Sequence, residues 1–210
     1  MPQIIGLGEF SNSQFKKAVK LFECSQDGAL LDYLHKNAHS HHKQGFFQTY
    51  FYRDEGKYKA YISLASAQIT GEEIALREKL DIGEAMPYPI PALKITRLCI
   101  SDEFQRQNIG SILIEFAKIA AYEQQSKIGC RALLVDSKPG AIKFYDNTNF
   151  TVLSEMDKDT TFMFMDVPSL RSKAVKDDPI KKELVNDFIV FCEIFDLAHF
   201  SKTFEKMLTE

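Results

Sequence analysis

The sequence predicts an α/β chain built on one mixed sheet, and three stretches carry that prediction. Leu93 to Ile100 alternates as a half-buried strand does, and Ile109, Ile112, Leu113, Phe116, Ala117 and Ala120 then recur at helical spacing as far as about Ser126. Ala132-Leu133-Leu134-Val135 follows as an unbroken apolar run, the signature of a parallel strand buried on both faces. Beyond it come a helix over Pro139 to Asp146 and strands near Thr151 to Ser154 and Thr161 to Val167. A helix between two apolar strands is a βαβ unit, and the order β-α-β-α-β-β closes into a mixed sheet.

The elements before this centre follow from the N-terminus. Phe15, Ala18, Val19 and Phe22 mark a helix within Phe10 to Glu23, with Ser11 or Ser13 as its cap. Leu30, Leu31, Leu34 and Ala38 share one face of a second helix, predicted from Gly28 to His42 and stopped by Gly45. Phe46 to Arg53 and Tyr58 to Ala67 read as a hairpin about the turn Asp54-Glu55-Gly56-Lys57. Thr70 to Leu80 reads as a short helix or charged loop, and Met86 to Pro91 as an extended proline segment.

After Pro168 the character changes. Ser169 to Pro179 is polar and charged, and Leu184, Phe188, Phe191, Cys192 and Phe195 then line one helix face, with a further helix over Phe200 to Leu208. The chain of 210 residues is therefore divided into a domain over 1–168 and a helical C-terminal extension over 169–210. Several large apolar side chains on one face must dock, either on the chain's own sheet or across a two-fold axis on a second subunit, and a dimer is slightly favoured.

Charge and composition narrow the function. Lys+Arg 26 against Asp+Glu 29 gives a net charge of −3, which disfavours a wholly basic nucleic-acid binder and leaves room for a local basic patch. No apolar run is long enough to span a bilayer and Met1 to Phe10 lacks the pattern of a signal peptide, so a cytoplasmic protein is expected. Cys24, Cys99, Cys130 and Cys192 are scattered, without metal-ligand spacing. His35, His39, His41 and His42 crowd one segment, but no second ligand cluster accompanies them; a solvated polar face is expected, and no metal.

The turn after the central strand, Gln105-Arg106-Gln107-Asn108-Ile109-Gly110-Ser111, leads a polar loop into a helix. Such an N-terminus presents unpaired N–H groups at the positive end of the helix dipole and can cradle a pyrophosphate, with Gly110 allowing close approach. It matches neither the P-loop nor the dinucleotide-binding pattern.

Ile95 to Ile100 followed by Gln105-x-x-Asn108-x-Gly110 resembles the coenzyme-binding motif of the GNAT N-acetyltransferases. Ala132 to Val135 and the run Ala141-Ile142-Lys143-Phe144-Tyr145 through Asn149-Phe150 resemble the family's fifth strand and the segment after it. The likeness is clear over about Leu93 to Val167. It implies a mostly antiparallel central sheet flanked by helices, and transfer of an acetyl group from acetyl-CoA to a primary amine by direct attack. Carried over residue by residue, Gln105, Arg106, Gln107, Asn108, Ile109, Gly110 and Ser111 hold the coenzyme's pyrophosphate. Main-chain groups of Leu98, Cys99 and Ile100 pair with its pantetheine arm beside Phe144, and Tyr145 is the general acid for the departing thiolate.

Asn108 and Asn149 stand where the family has glycine, and Asn tolerates left-handed backbone well. These departures motivate an alternative, a non-catalytic CoA-binding module. Phe22-Glu23-Cys24 with Leu30, Tyr33 and Leu34, and Pro91 to Leu98 with Arg97, resemble the subgroup of toxins from bacterial toxin–antitoxin pairs, which implies an aminoacyl-tRNA acceptor and an antitoxin partner. Residues 169–210, with seven Lys/Arg and eight Asp/Glu, are additional to that subgroup. For a general base, Glu84, Glu103 and Asp136 remain open, as does proton loss through water. The amine acceptor is open too.

Overall fold

The computed structural model describes residues 1–25, 27–70, 79, 89–157, 159–170 and 178–209. Its elements in chain order are β1 (Gln3–Gly6), α1 (Asn12–Lys20), α2 (Gly28–Lys36), α3 (Ala38–Lys43), β2 (Gln48–Asp54), β3 (Lys57–Ile69), β4 (Ile90–Ile100), α4 (Ile109–Lys127), β5 (Ala132–Ser137), α5 (Ile142–Asp146), β6 (Thr151–Asp157), β7 (Thr160–Asp166), α6 (Pro179–Ile194) and α7 (Ala198–Thr209). The strands form a seven-stranded sheet in the order β1-β2-β3-β4-β5-β7-β6. β4 and β5 are parallel and every other pair is antiparallel, the mixed but mostly antiparallel sheet that was expected.

Period-two alternation splits the core between the two faces of the sheet. Tyr52, Ala60, Ile62, Leu133 and Val135 point to the face covered by α4, α6 and α7. Their neighbours Phe51 and Tyr61 point to the face covered by α1, α2 and α3, through Val19, Phe22, Tyr33 and Leu34. β5 is buried on both faces, as its unbroken apolar run required.

Several local features obey the residues that form them. Ser11 caps α1 in a capping box with Gln14, whose backbone N–H donates to the Ser11 hydroxyl while its side chain accepts from the Ser11 N–H. Glu55 (φ 50°) and Gly56 (φ 79°) make the tight turn of the β2–β3 hairpin. The helix predicted from Gly28 to His42 is instead two, broken at Asn37, whose φ of −119° ends α2 and starts α3. Asn is a weak helix former because its side chain competes for backbone groups. β1 was not foreseen: four residues with one buried side chain carry too little pattern, and only pairing with β2 makes them a strand. The predicted segments at Thr70 to Leu80 and Ser169 to Pro179 lie largely outside the described residues, as does Met86 to Tyr88.

The C-terminal helices complete the core of the same chain. Phe188 packs on Tyr122 of α4 (ring centroids 5.2 Å apart) and on Phe204 of α7 (5.2 Å), and Phe200 meets Phe116 edge-on at 5.7 Å. Phe195 lies against Tyr52, and its carbonyl accepts from the Ile4 N–H at 3.3 Å. The apolar face of α6 is thus covered by the chain's own α4, α7 and β2, the first of the two dockings expected of it, and this burial calls for no second subunit. Among the described residues no helix is long and apolar enough to cross a membrane.

Candidate functional site

The site follows from a defect in the sheet. β4 pairs with β5 from Ala92 to Ile95, and that pairing stops at Ile95 opposite Val135 although β4 continues to Ile100. At the same level the β3 register jumps from Leu64–Ile95 to Ser63–Arg97, so Thr96 is an extra residue, held by its hydroxyl donating to the Ser63 carbonyl at 3.1 Å. Such a bulge bends and twists its strand away from a neighbour. The two parallel strands therefore splay, and a cleft opens on each side of the gap.

The first cleft has a volume of about 710 Å3 and gathers nearly every residue that the sequence motif singled out. Leu98, Cys99, Ile100, Gln105, Arg106, Asn108, Ile109, Gly110, Ser111, Phe144 and Tyr145 all line it. Gln107 does not; its amide donates to the Glu103 carbonyl at 3.3 Å and braces the loop from outside. Arg106 (φ 61°) and Asn108 (φ 62°) both take left-handed backbone, and so does Asn149 (φ 68°). The two asparagines thus adopt the conformation that glycine would supply at those positions, at modest cost. This removes the backbone argument for a degenerate module.

At the head of α4 the Asn108 side chain makes no capping hydrogen bond, and the first carbonyl taken up by the helix is that of Asn108, by the Ile112 N–H. The amides of the first turn face the cleft with the positive end of a helix of 19 residues behind them. A Cβ added at Gly110 would meet Phe144 Cζ at 2.9 Å, so glycine here keeps the wall of the cleft open. The arrangement fits an extended anionic ligand whose phosphates sit on the helix N-terminus.

The second cleft, about 630 Å3, lies on the β5 side of the gap and is lined by Lys94, Thr96, Arg97, Asp136 and Lys138 among others. Asp27, Leu30, Leu98, Ala141 and Tyr145 line both clefts. Tyr145 is thus at their junction, 7% exposed, with its ring edge-on to Phe144 (5.1 Å) and Phe150 (5.3 Å). Burial pushes its phenol well above the ordinary tyrosine value, so it keeps its proton.

Sequence reasoning missed the strap across the clefts. Asp27 caps α2 by accepting from the Ala29 N–H at 3.1 Å, and also takes Lys138 in an ion pair at 2.5 Å. Burial raises the Asp27 carboxyl, but the hydrogen bond and charge of Lys138 and the amides of Ala29 and Leu30 outweigh it, and the net shift is downward. No spacing links positions so far apart in sequence. Of the candidate bases, Asp136 lines the second cleft but is held by Lys94 at 2.6 Å, Glu103 is held by Lys57 at 2.9 Å outside both clefts, and Glu84 lies outside the described residues. The Cys99 thiol is pushed far up by burial and by its hydrogen bond with Cys24, so it is inert as a nucleophile.

The histidines need a correction. His35 is exposed on α2, but His39 stacks on Phe15 at 5.4 Å and His41 sits among Tyr33, Phe46 and Phe47, so they are packing groups on α3 rather than a solvated face. Among the described residues no cluster of three or more His, Cys, Asp or Glu could hold a metal ion.

The family model for the acetyltransferase (GNAT) domain matches residues 23–166. The chain belongs to the GNAT acetyltransferase family. A tRNA-acetylating toxin of Mycobacterium tuberculosis is 28% identical over 129 residues, which is 61% of this chain and 75% of that protein. Solved structures of the toxin AtaT share the fold. Bound to acetyl-methionyl-tRNAfMet, AtaT matches with a TM-score of 0.63 at 21% identity, covering 77% of this chain and 94% of that one. A tyrosine-to-phenylalanine mutant of AtaT, bound to the C-terminus of the antitoxin AtaR and acetyl-CoA, matches at 0.63 with 17% identity, over 80% and 94% of the two chains.

Proposed function

We propose that the chain transfers an acetyl group from acetyl-CoA to the α-amine of an aminoacyl-tRNA, by direct attack in one ternary complex with Tyr145 as general acid. The observation that carries this reading is the position of Tyr145 at the meeting point of two clefts, one headed by bare helix amides and the other lined with cations. The likeness to a tRNA-acetylating toxin and to AtaT bound to an acetylated aminoacyl-tRNA supports the choice of acceptor.

Bound acetyl-CoA supplies an acetyl thioester and a thiolate leaving group. Each part of the chain then has one task. The amides of Ile109, Gly110 and Ser111, with the Gln105–Asn108 turn, hold the pyrophosphate, and Gly110 lets it approach. Past the bulge, the β4 edge at Leu98 to Ile100 is released from β5 and pairs with the pantetheine arm as an added strand would. Tyr145 Oη donates its proton toward the sulfur as the amine attacks from the β5 side. With Asp136 and Glu103 engaged by lysines, the amine loses its proton to water.

In this reading the chain works in the cytoplasm, where acetyl-CoA and charged tRNA meet. AtaT bound to the C-terminus of AtaR supports a small antitoxin as its partner. The test is transfer of labelled acetyl from acetyl-CoA to a pool of charged tRNA, beside deacylated tRNA, a polyamine and a lysine peptide. Label is expected on charged tRNA alone; label on the polyamine or peptide instead would refute this acceptor.

Gly110 gives an independent check on the coenzyme cleft. Gly110→Ala drives a methyl group into the Phe144 ring, and relieving such overpacking costs about 1–3 kcal/mol. Because the displaced ring forms the cleft wall, the effect falls on the coenzyme: the Kd for acetyl-CoA rises roughly tenfold by isothermal titration. An unchanged Kd would place the coenzyme elsewhere.

A further inference from the structure

The cations of the second cleft are not equivalent. Lys94 is paired with Asp136 and Lys138 with Asp27, so both carry their charge into an ion pair. Arg97 is exposed and lines the same cleft, and among the described residues no carboxylate pairs with it. Its guanidinium lies over the Tyr33 ring, 5.0 Å from the centroid, and one terminal nitrogen donates to the Thr96 carbonyl at 2.5 Å. Thr96 is the bulged residue, so the same defect that opens the gap between β4 and β5 also sets the backbone acceptor that helps hold Arg97.

Tyr33 itself is fixed. It is buried, stacked on Tyr61 at 6.4 Å and packed against His41 and Phe47. A planar cation resting on a rigid aromatic ring keeps its remaining N–H donors together as a fork, the geometry that suits a phosphate or the edge of a base. The chain as a whole is acidic, so attraction for a polyanion has to be local, and Arg97 is the one cation of this cleft whose charge is left uncancelled among the described residues.

We propose that Arg97, seated on Tyr33, binds the nucleoside at the 3′ end of the RNA acceptor and the phosphate on its 5′ side, and thereby sets the acceptor's affinity. This rests on the aminoacyl-tRNA reading of the preceding subsection and adds to it the residue that recognises the RNA end. The role is one of binding rather than of chemistry, since Tyr145 and not Arg97 stands at the junction of the clefts.

The experiment compares wild type with Arg97→Gln and Arg97→Lys in the full chain. Steady-state acetylation is measured on charged tRNA and on an amino-acid methyl ester, an α-amine with no phosphate. Binding of deacylated tRNA is followed by filter retention over a range of salt. For Arg97→Gln, KM for charged tRNA and Kd for tRNA rise about tenfold while kcat stays within about twofold. The slope of log Kd against log salt becomes shallower by about one. The rate on the methyl ester is unchanged. Arg97→Lys, which keeps the charge but loses the fork, falls between the two.

An equal loss on both substrates, or a fall in kcat with KM unchanged, would mean that Arg97 supports the cleft structurally, and would overturn the proposal. Should wild type fail to acetylate charged tRNA at all, the acceptor reading falls. The retention arm still decides Arg97 in that case: tRNA held by wild type and released by Arg97→Gln sustains the assignment, and identical retention ends it.

Discussion

Tyr145→Phe lowers kcat by about two to four orders of magnitude, the range that a positioned proton donor contributes, while KM for acetyl-CoA changes little. The asymmetry follows from the geometry. The Tyr145 ring packs edge-on to Phe144 and Phe150, contacts that phenylalanine keeps, so the cleft wall survives the substitution. Only the hydroxyl is removed, at the point where the two clefts meet. Initial rates over a range of acetyl-CoA concentrations separate the two parameters. A fall in kcat of less than fivefold would show that the leaving thiolate needs no donor from this residue.

The pH profile of the wild type carries the same argument. Burial raises the Tyr145 pKa above the ordinary phenol value of about 10, and a raised pKa means that the protonated form persists to higher pH. The acid therefore stays loaded throughout the neutral and mildly alkaline range. The rate of transfer rises as the acceptor's α-amine deprotonates near its ordinary pKa of about 8, and then stays level to about pH 10. An alkaline fall with a midpoint between 8 and 9.5 would point to a different, more acidic donor.

What was legible in the sequence was what local pattern encodes. The Leu93–Val135 unit announced itself because a strand, a helix and a doubly buried strand have three different periodicities, and all three sat in one stretch. The turn from Gln105 to Ser111 was legible as a polar loop opening a helix, but many plain strand-to-helix connections look the same, and it was the resemblance to the family's motif that singled it out. The conformations of Asn108 and Asn149 were foreseeable from the residue type, whereas the left-handed Arg106 was not, because nothing in an arginine asks for it.

The rest depended on contacts that sequence distance hides. The bulge at Thr96 is a mismatch between two strands, so neither strand alone records it. The Asp27–Lys138 ion pair and the seat of Arg97 on Tyr33 join elements that meet only once the sheet has formed. Arg97 was read in a strand motif, and its motif position said nothing of its having no carboxylate partner. The histidine cluster misled for the opposite reason. Four imidazoles close in sequence suggested one solvated face, but the break at Asn37 left His35 exposed on α2 while the rings of Phe15, Tyr33 and Phe47 drew His39 and His41 into packing positions on α3.

Phe188→Ala unfolds the chain most readily of any single change argued here, although the residue lies in the extension beyond the family match. Phe188 is fully buried between Tyr122 and Phe204, with the Lys118 ammonium 5.7 Å from its ring. Truncating a buried phenylalanine to alanine costs about 3–5 kcal/mol, a large share of the roughly 5–15 kcal/mol that holds a domain folded. For a chain of this size that is a fall in Tm of roughly 6–20 °C. Val190→Ala, two residues along the same helix but 51% exposed, is the matched control and stays within about 0.5 kcal/mol. Deleting residues 169–210 removes every covering contact at once. It exposes Phe116 and Tyr122 on α4 together with Tyr52 on β2, an apolar face that invites aggregation. We expect the truncated chain to be insoluble on expression, with Gln105 to Ser111 and Tyr145 intact in sequence. Calorimetry of the two point variants and a solubility assay of the deletion check this directly. A soluble monomeric chain ending at Pro168, with the Tm of the full-length protein, would mean that the extension is an ornament on a finished domain. The shared core of α4, α6 and α7 argues that it is the last layer of that domain.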